Sequence, residues 1–363
     1  MAGAVSDAAV REALTTVHEP DTARPITELG MVRGVVTGRR RVQVGLALPL
    51  ADHPLTGYLR AKVTEAVRAL GAATVDVDII TMSDDDRRAL RQLLRPRDQP
   101  GEPFATARIV AMSSGKGGVG KSSLSTNLAV VLARRGRRVA LIDADVYGFS
   151  IPRMIGITRR PVIVDELLIP PRAYGVAVIS VALFASDEQT PIIWRGPMLH
   201  KALQQFVNDV YWGSPDIVII DMPPGTGDVA LSMAQILPLS EVVVVTTPQP
   251  AAQKVAQRTA YMARKVNLAV SGVIENMSWF TGNDGERYEL FGAGGGDMLA
   301  QQLGVPLLGQ VPLVPALREG SDTGQPIVES EPDGEAARAV AAVADSLLAA
   351  PVRRRSLPLL RVT

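Results

Sequence analysis

Residues 112–123 read Met112-Ser113-Ser114-Gly115-Lys116-Gly117-Gly118-Val119-Gly120-Lys121-Ser122-Ser123. The stretch fits the pattern G-x-x-x-x-G-K-[ST], with a second lysine directly after the first glycine. Glycine removes the Cβ that would keep backbone N–H groups from converging on phosphate oxygens. Lys121 sets a point charge against the β/γ-phosphates, and the Ser122 hydroxyl is a ligand for Mg²⁺. The flanks are those such a loop needs. The run Arg108-Ile109-Val110-Ala111-Met112 enters it as a strand, and a helical pattern leaves it from Ser122 to Arg135, stopped by Gly136. The loop, with Gly115, Gly117, Gly118, Val119, Gly120, Lys121, Ser122 and Ser123 as contacts, reads as a cradle for a nucleoside triphosphate.

Outward from this loop, apolar β-branched runs alternate with helical stretches. The predicted strands are Ile109–Met112, Val139–Ile142, Val176–Ala182, Ile217–Ile220, Val242–Thr246, Val270–Ile274 and Leu307–Val311. Most are apolar throughout rather than alternating, as strands buried on both faces of a parallel sheet must be. The expected fold is α/β, a mostly parallel sheet flanked by helices and preceded by a small α+β domain. Ligands of such sheets sit beyond the carboxyl ends of the strands. The small domain spans 1–83. It has helical spacing over Val10–Val17, an alternating strand at Arg41–Leu48, a helix from Thr56 to Leu70 and a strand at Ala73–Ile80. A linker over 84–105 follows, its front half a short helix (Arg87 to Leu94) and its end rich in proline. The large domain spans 106–350, and 351–363 is a frayed tail containing Arg353-Arg354-Arg355.

Composition removes several classes of function. Across 363 residues, 47% are hydrophobic and 21% charged, which describes a globular chain with a sizeable core. A formal net charge of +1 and 4% aromatic residues argue against a nucleic-acid surface. Charges interrupt the first thirty residues, and no segment reaches a membrane-spanning length, so the expected location is cytoplasmic with no membrane partner. The chain has no cysteine, which excludes disulfides, thiolate nucleophiles and cysteine-held metals or clusters on this chain alone.

Phosphoryl transfer needs a cradle, a metal, an oriented water and added positive charge. The run Ile217-Val218-Ile219-Ile220-Asp221 puts a carboxylate at a buried strand end, suited to direct Mg²⁺, with a shaped Pro/Gly loop behind it. Asp143 and Asp145 form a second acidic strand end. They either order water and support metal-bound waters, or cap the next turn. Lys116 either reaches a second subunit's nucleotide or is solvated. Asn276 either bonds an adenine edge or caps a turn. His18, His53 and His200 show no metal-ligand spacing.

With those residues placed, the chain resembles the Mrp/ApbC family of ATPases, in the deviant phosphate-loop class that includes MinD, ParA and the nitrogenase iron protein. The matching stretches are Gly115–Ser122, Asp143-Ala144-Asp145-Val146-Tyr147-Gly148 with Ser150-Ile151-Pro152, Trp194-Arg195-Gly196-Pro197-Met198 and Asp221-Met222-Pro223-Pro224-Gly225-Thr226-Gly227-Asp228. Further matches are Glu275-Asn276-Met277-Ser278, Phe291-Gly292 before Gly294–Gly296, and Arg318-Glu319 with Asp322–Val328. The resemblance covers residues 105 to 345, and Ile26–Val32 resembles the small domain often fused in front. It implies a homodimer with slow, Mg²⁺-dependent hydrolysis of ATP that carries iron–sulfur clusters to client apoproteins. It implies Lys116 as a lysine acting in trans, Lys121 and Ser122 as phosphate and Mg²⁺ contacts, and Asp145 as the water-orienting switch carboxylate. Asp221 would be the magnesium-site acid, acting through water, and Asn276 the adenine contact.

One departure is chemical. Where many members carry C-P-x-C-G, this chain has Gly282-Asn283-Asp284-Gly285-Glu286, and His53 stands where the small domain usually has cysteine. Thiolates are the normal protein ligands of such clusters, so the family's usual cluster site is missing here. The alternatives are a positioning or partition ATPase of the MinD/ParA type, a cluster-independent adaptor, and a non-hydrolysing nucleotide sensor.

Overall fold

The computed structural model describes residues 5–95, 104–145, 148, 150–184, 196–225 and 228–351. The chain divides into two compact units. One joins Met1–Gly101 with Arg159–Arg172 and Asp209–Gly213, and the other joins Glu102–Thr158, Ala173–Asn208 and Ser214–Thr363.

In the first unit, α1 (Asp7–Leu14), β1 (Val32–Thr37), β2 (Arg41–Leu48), α2 (Thr56–Arg68) and β3 (Thr74–Thr81) follow the periodicities of the sequence. β2 is central, antiparallel to β1 and parallel to β3. Alternation on β2 buries Val42, Val44 and Leu46, and the four-residue spacing of Leu59, Val63 and Val67 on α2 meets them in one core. The helix expected over Arg87–Leu94 begins three residues earlier. The segment Asp84–Leu94 is a full helix, α3, begun by a capping box between Ser83 and Asp86. Its Leu90 and Leu94, one turn apart, sit in the same core. The proline-rich stretch 96–103 lies outside the described residues, as do the 352–363 tail, Trp194-Arg195, Val146-Tyr147 and Thr226-Gly227.

Residues 159–172 join this unit through two devices that have no local signal. A hairpin of Val162–Val164 and Leu167–Ile169 turns at Asp165 and Glu166, both at positive φ, and adds Val162, Val164 and Ile169 to the core. Arg159 pairs with the buried carboxylate of Asp21, which also accepts the Arg172 backbone N–H at 2.9 Å. His53 is buried beside them, its Nδ1 accepting the Leu55 N–H at 3.2 Å, and burial pushes its pKa down.

The second unit is built on parallel strands β4 (Arg108–Ser114), β5 (Val139–Asp143), β6 (Val176–Ser180), β7 (Ile217–Asp221), β8 (Glu241–Thr246), β9 (Ala269–Asn276) and β10 (Leu307–Val311). These seven lie side by side in the order β6-β5-β7-β4-β8-β9-β10. Helices α4 (Lys121–Arg134), α5 (Gly196–Asn208), α6 (Asp228–Ile236), α7 (Pro250–Lys265), α8 (Gly295–Leu303), α9 (Pro315–Thr323) and α10 (Glu335–Ala349) complete it. The strands differ from expectation at their ends. β6 stops at Ser180, where Val181–Phe184 tightens into a 3₁₀ turn, while β5, β7 and β9 each run on to a polar residue: Asp143, Asp221 and Asn276. Ladder pairing continues to these residues because a neighbouring strand receives them, Asp221 standing opposite Asp143 in register. The sheet therefore carries its chemistry on the last residues of its strands. Among the described residues, no helix is long and apolar enough to cross a membrane.

If α3 belongs to the core, Leu90→Ala should lower the stability of the first unit by about 2–4 kcal/mol. Chemical denaturation measures this, and a change below roughly 0.5 kcal/mol, the value for a surface position, would return residues 84–94 to linker status.

Candidate nucleotide site

The phosphate loop leaves β4 and enters α4 through Gly120, which sits at φ +81° as the helix N-cap. That left-handed conformation is cheap only for glycine. Gly115 is glycine for another reason. A Cβ there would run into the backbone of α7 at Val255 and Ala256. Gly117 and Gly118 face open space, and both are exposed. The loop thus has one tight face against the protein and one bare face toward a ligand. On the bare side, Lys116, Gly117, Gly118, Val119, Gly120, Lys121, Ser122, Ser123, Asp145, Ser150, Met154 and Pro224 line an open cavity of ≈ 210 Å³. This brings residues 116–123 and Asp145 together, while Gly115, Asp221 and Asn276 are not in the lining. Lys116 is half-buried at the cavity wall, and its carbonyl accepts the Ser114 hydroxyl at 3.1 Å. Ser123 instead contacts the Ser321 hydroxyl at 3.1 Å.

Beneath the loop lies a dense polar cluster. Lys121 Nζ stands 2.6 Å from Asp221 Oδ2. The Ser122 hydroxyl donates to the same oxygen at 2.6 Å, and the Ser125 hydroxyl donates to Asp221 Oδ1 at 2.6 Å. Lys121 is 5% exposed and Asp221 is fully buried. Ser125 was not among the predicted residues. Its signal was present as the three-residue spacing from Ser122, which puts both hydroxyls on one helix face. Hard oxygen donors at 122 and 221, beside an open phosphate cradle, fit a magnesium ion.

Asp143 is the second buried acid. The Ser180 hydroxyl donates to its Oδ2 at 2.9 Å, and the Asp145 N–H donates to Oδ1 at 3.2 Å. Burial, then the neighbouring Asp221 carboxylate, pushes its pKa up to about 8. Asp145 stays at the cavity, where its Oδ1 accepts the Gly148 N–H at 3.2 Å. The two acids of the Asp-x-Asp pair therefore do different things: one is packed below and the other faces the ligand space. Asn276 ends β9 on the far side of the loop, 2% exposed, with its Nδ2 donating to the Val119 carbonyl at 2.8 Å. Its Oδ1 is buried with no partner among the described residues.

The segment at the family's thiolate positions is a hairpin. Phe280–Thr281 pairs with Arg287–Tyr288, and the turn is closed by Gly282 N–H to the Glu286 carbonyl (2.9 Å) and Gly285 N–H to the Gly282 carbonyl (3.0 Å). A Cβ at 282 would stand 2.6 Å from Asp284 Oδ1 and 2.8 Å from Tyr288, and Gly285 sits at φ +80°. Arg287 stacks on Trp279 at 4.4 Å, and Trp279, Thr281 and Arg287 all bond Glu335. With no cysteine in the chain, this donor set does not fit an iron–sulfur cluster.

The raised pKa of Asp143 has a stability consequence. The folded state holds a proton that the unfolded chain releases near pH 3.8, so stability is full below that value and falls as pH rises toward about 8. Asp143→Asn should remove this slope. Melting temperatures of the nucleotide-free variant, relative to the parent, should climb steadily between pH 5 and 8, and parallel curves would refute the buried-acid assignment.

Comparison with known proteins agrees with this geometry. Residues 105–348 match the family described as NUBPL iron-transfer P-loop NTPase, and residues 7–79 match the family described as iron-sulfur cluster assembly protein. The iron-sulfur cluster carrier protein of Mycobacterium tuberculosis is 46% identical over 364 residues, covering 97% of this chain and 94% of its own. That of Bacillus subtilis is 42% identical, covering 84% and 87%. Among solved structures, a nucleotide-binding protein from Archaeoglobus fulgidus in complex with ADP superposes with a TM-score of 0.55 at 31% identity, covering 69% of this chain and 95% of that one. The Pyrococcus furiosus cell division ATPase MinD shares the fold, with a TM-score of 0.51 at 23% identity, covering 67% and 98%. A phosphate cradle closed by Lys121 and Asp221, on a chain matched almost end to end, places this protein in the Mrp/ApbC family of P-loop NTPases, the iron–sulfur cluster carriers.

Proposed function

We propose that the chain is a cytoplasmic, Mg²⁺-dependent ATPase that works as a homodimer and serves iron–sulfur maturation as a nucleotide-driven adaptor for client apoproteins. The observation that carries the reading is the Lys121–Asp221–Ser122 cluster beneath an open, glycine-walled cavity. A buried lysine held by a buried carboxylate is a cation stored where a triphosphate arrives. Lys121 then serves the β/γ-phosphates, and Ser122 with Asp221 would hold a magnesium ion, Asp221 through water. Bound magnesium neutralises charge on the transferred phosphoryl group. Asp145, at the cavity, orients the attacking water. Lys116, at the cavity wall, serves the nucleotide of the second subunit as an arginine finger would. Asn276 Oδ1 receives the adenine amino group while its Nδ2 stays on the Val119 carbonyl. The cluster is cargo, and thiolates outside this chain hold it, because the hairpin around Gly282 and Gly285 has no ligands for it.

Two variants separate the roles. Lys121→Ala should abolish hydrolysis and weaken nucleotide binding. Lys116→Ala should keep binding while hydrolysis falls roughly a hundredfold or more, and normal turnover in Lys116→Ala would end the trans role. Calorimetry and phosphate release make both measurements. Anaerobic reconstitution of the purified chain with iron and sulfide should give no cluster absorbance, with or without MgATP; a stable chromophore would overturn the adaptor form of the proposal.

A further inference from the structure

Glu275 is a fully buried carboxylate one residue before Asn276, outside the phosphate chemistry described above. It accepts donors from three directions. The Gly296 N–H at the start of α8 donates to Oε2, while the Ser278 hydroxyl (2.9 Å) and Gln310 Nε2 (2.7 Å) donate to Oε1. The Ser278 hydroxyl also lies 3.0 Å from the Glu275 carbonyl oxygen, and the Ser278 N–H donates to the Val311 carbonyl at 3.0 Å. Between them, Met277 is held at φ +58°, a conformation that side-chain-bearing residues adopt at a cost and that persists only where surroundings over-determine it. Gly296 explains part of the glycine run 294–296, because a Cβ there would collide with Glu275 Cβ.

This bracing fixes the one side chain between Glu275 and Met277. Asn276 projects onto the phosphate loop, its Nδ2 on the Val119 carbonyl and its amide filling the space a Gly120 Cβ would need. We infer that Glu275 is a positioning residue for the phosphate loop, acting through Asn276. The inference rests on the nucleotide reading above. Glu275 locks the strained 275–278 turn to α8 and β10, the turn aims Asn276, and Asn276 holds the loop carbonyl so that the N–H groups stay pre-set for phosphate. A loop set before binding loses less freedom when the ligand arrives.

The test is calorimetric titration with MgADP, at a temperature well below melting, of the parent, Glu275→Gln, Asn276→Ala and the double variant. Gln keeps the shape of the side chain but sets an amide against the donors around it. Glu275→Gln should weaken binding about tenfold, the loss of roughly one hydrogen bond to a charged group, and the double variant should bind no worse than Asn276→Ala. A purely structural Glu275 would lower the melting temperature and leave affinity at the parent value, and that result overturns the inference. Losses that add in the double variant overturn it as well. If Glu275→Gln does not fold, Ser278→Ala carries the test, with a loss of about threefold expected and parental affinity counting against. Absence of binding by the parent itself would instead refute the nucleotide reading, so the two failures are distinguishable.

Discussion

A carboxylate with no water around it must be neutralised where it stands. Asp221 is such a group, and the second unit is organised around it. Its two oxygens take three partners from one helix: Lys121, Ser122 and Ser125. Those partners exist only because α4 begins directly beneath the phosphate loop and points its first turn at the end of β7. The arrangement holds a cation out of water without leaving it unpaired.

The same constraint explains why Asp143 and Asp145 diverge although they lie two residues apart. Asp143 is the last residue of β5 and stands in register with Asp221 on β7. Two adjacent buried acids cannot both ionise cheaply, so Asp143 keeps its proton and is held by Ser180. Asp145 lies past the strand end, and it is the acid that reaches the ligand space. On the opposite side of the loop, Glu275 and Asn276 supply a second brace. The phosphate loop is thus gripped from below through Lys121 and from the β9 side through Val119.

The hairpin at 280–288 is held by its own bonds and by its neighbours. Its turn is satisfied by its own backbone bonds, and its stem is tied down by Trp279, Arg287 and Glu335. Packing and hydrogen bonding hold the segment, so it needs no metal to be ordered. The chain brings Lys121, Ser122 and Asp221 into contact beneath its phosphate loop, and it carries no cysteine.

Much of this was legible in the chain itself. The glycine spacing at 115–120, the flanking apolar run and the helical pattern after it name a phosphate cradle, because local chirality and periodicity decide those features within a dozen residues. The doubly buried strands follow from uninterrupted apolar runs, and the lack of any thiolate ligand follows from the absence of cysteine. Other features needed the assembled sheet. Strand order alone sets Asp221 beside Asp143, and a hairpin drawn from 162–169 into the first unit has no local mark. Glu275 reads in sequence as one more charge before Asn276, yet it becomes the buried anchor of α8 once Gly296 and Gln310 converge on it. Sequence determined which groups each segment carries, since backbone conformation responds to near neighbours. Tertiary structure decided which groups lose their water together, and that loss turns ordinary carboxylates into a site.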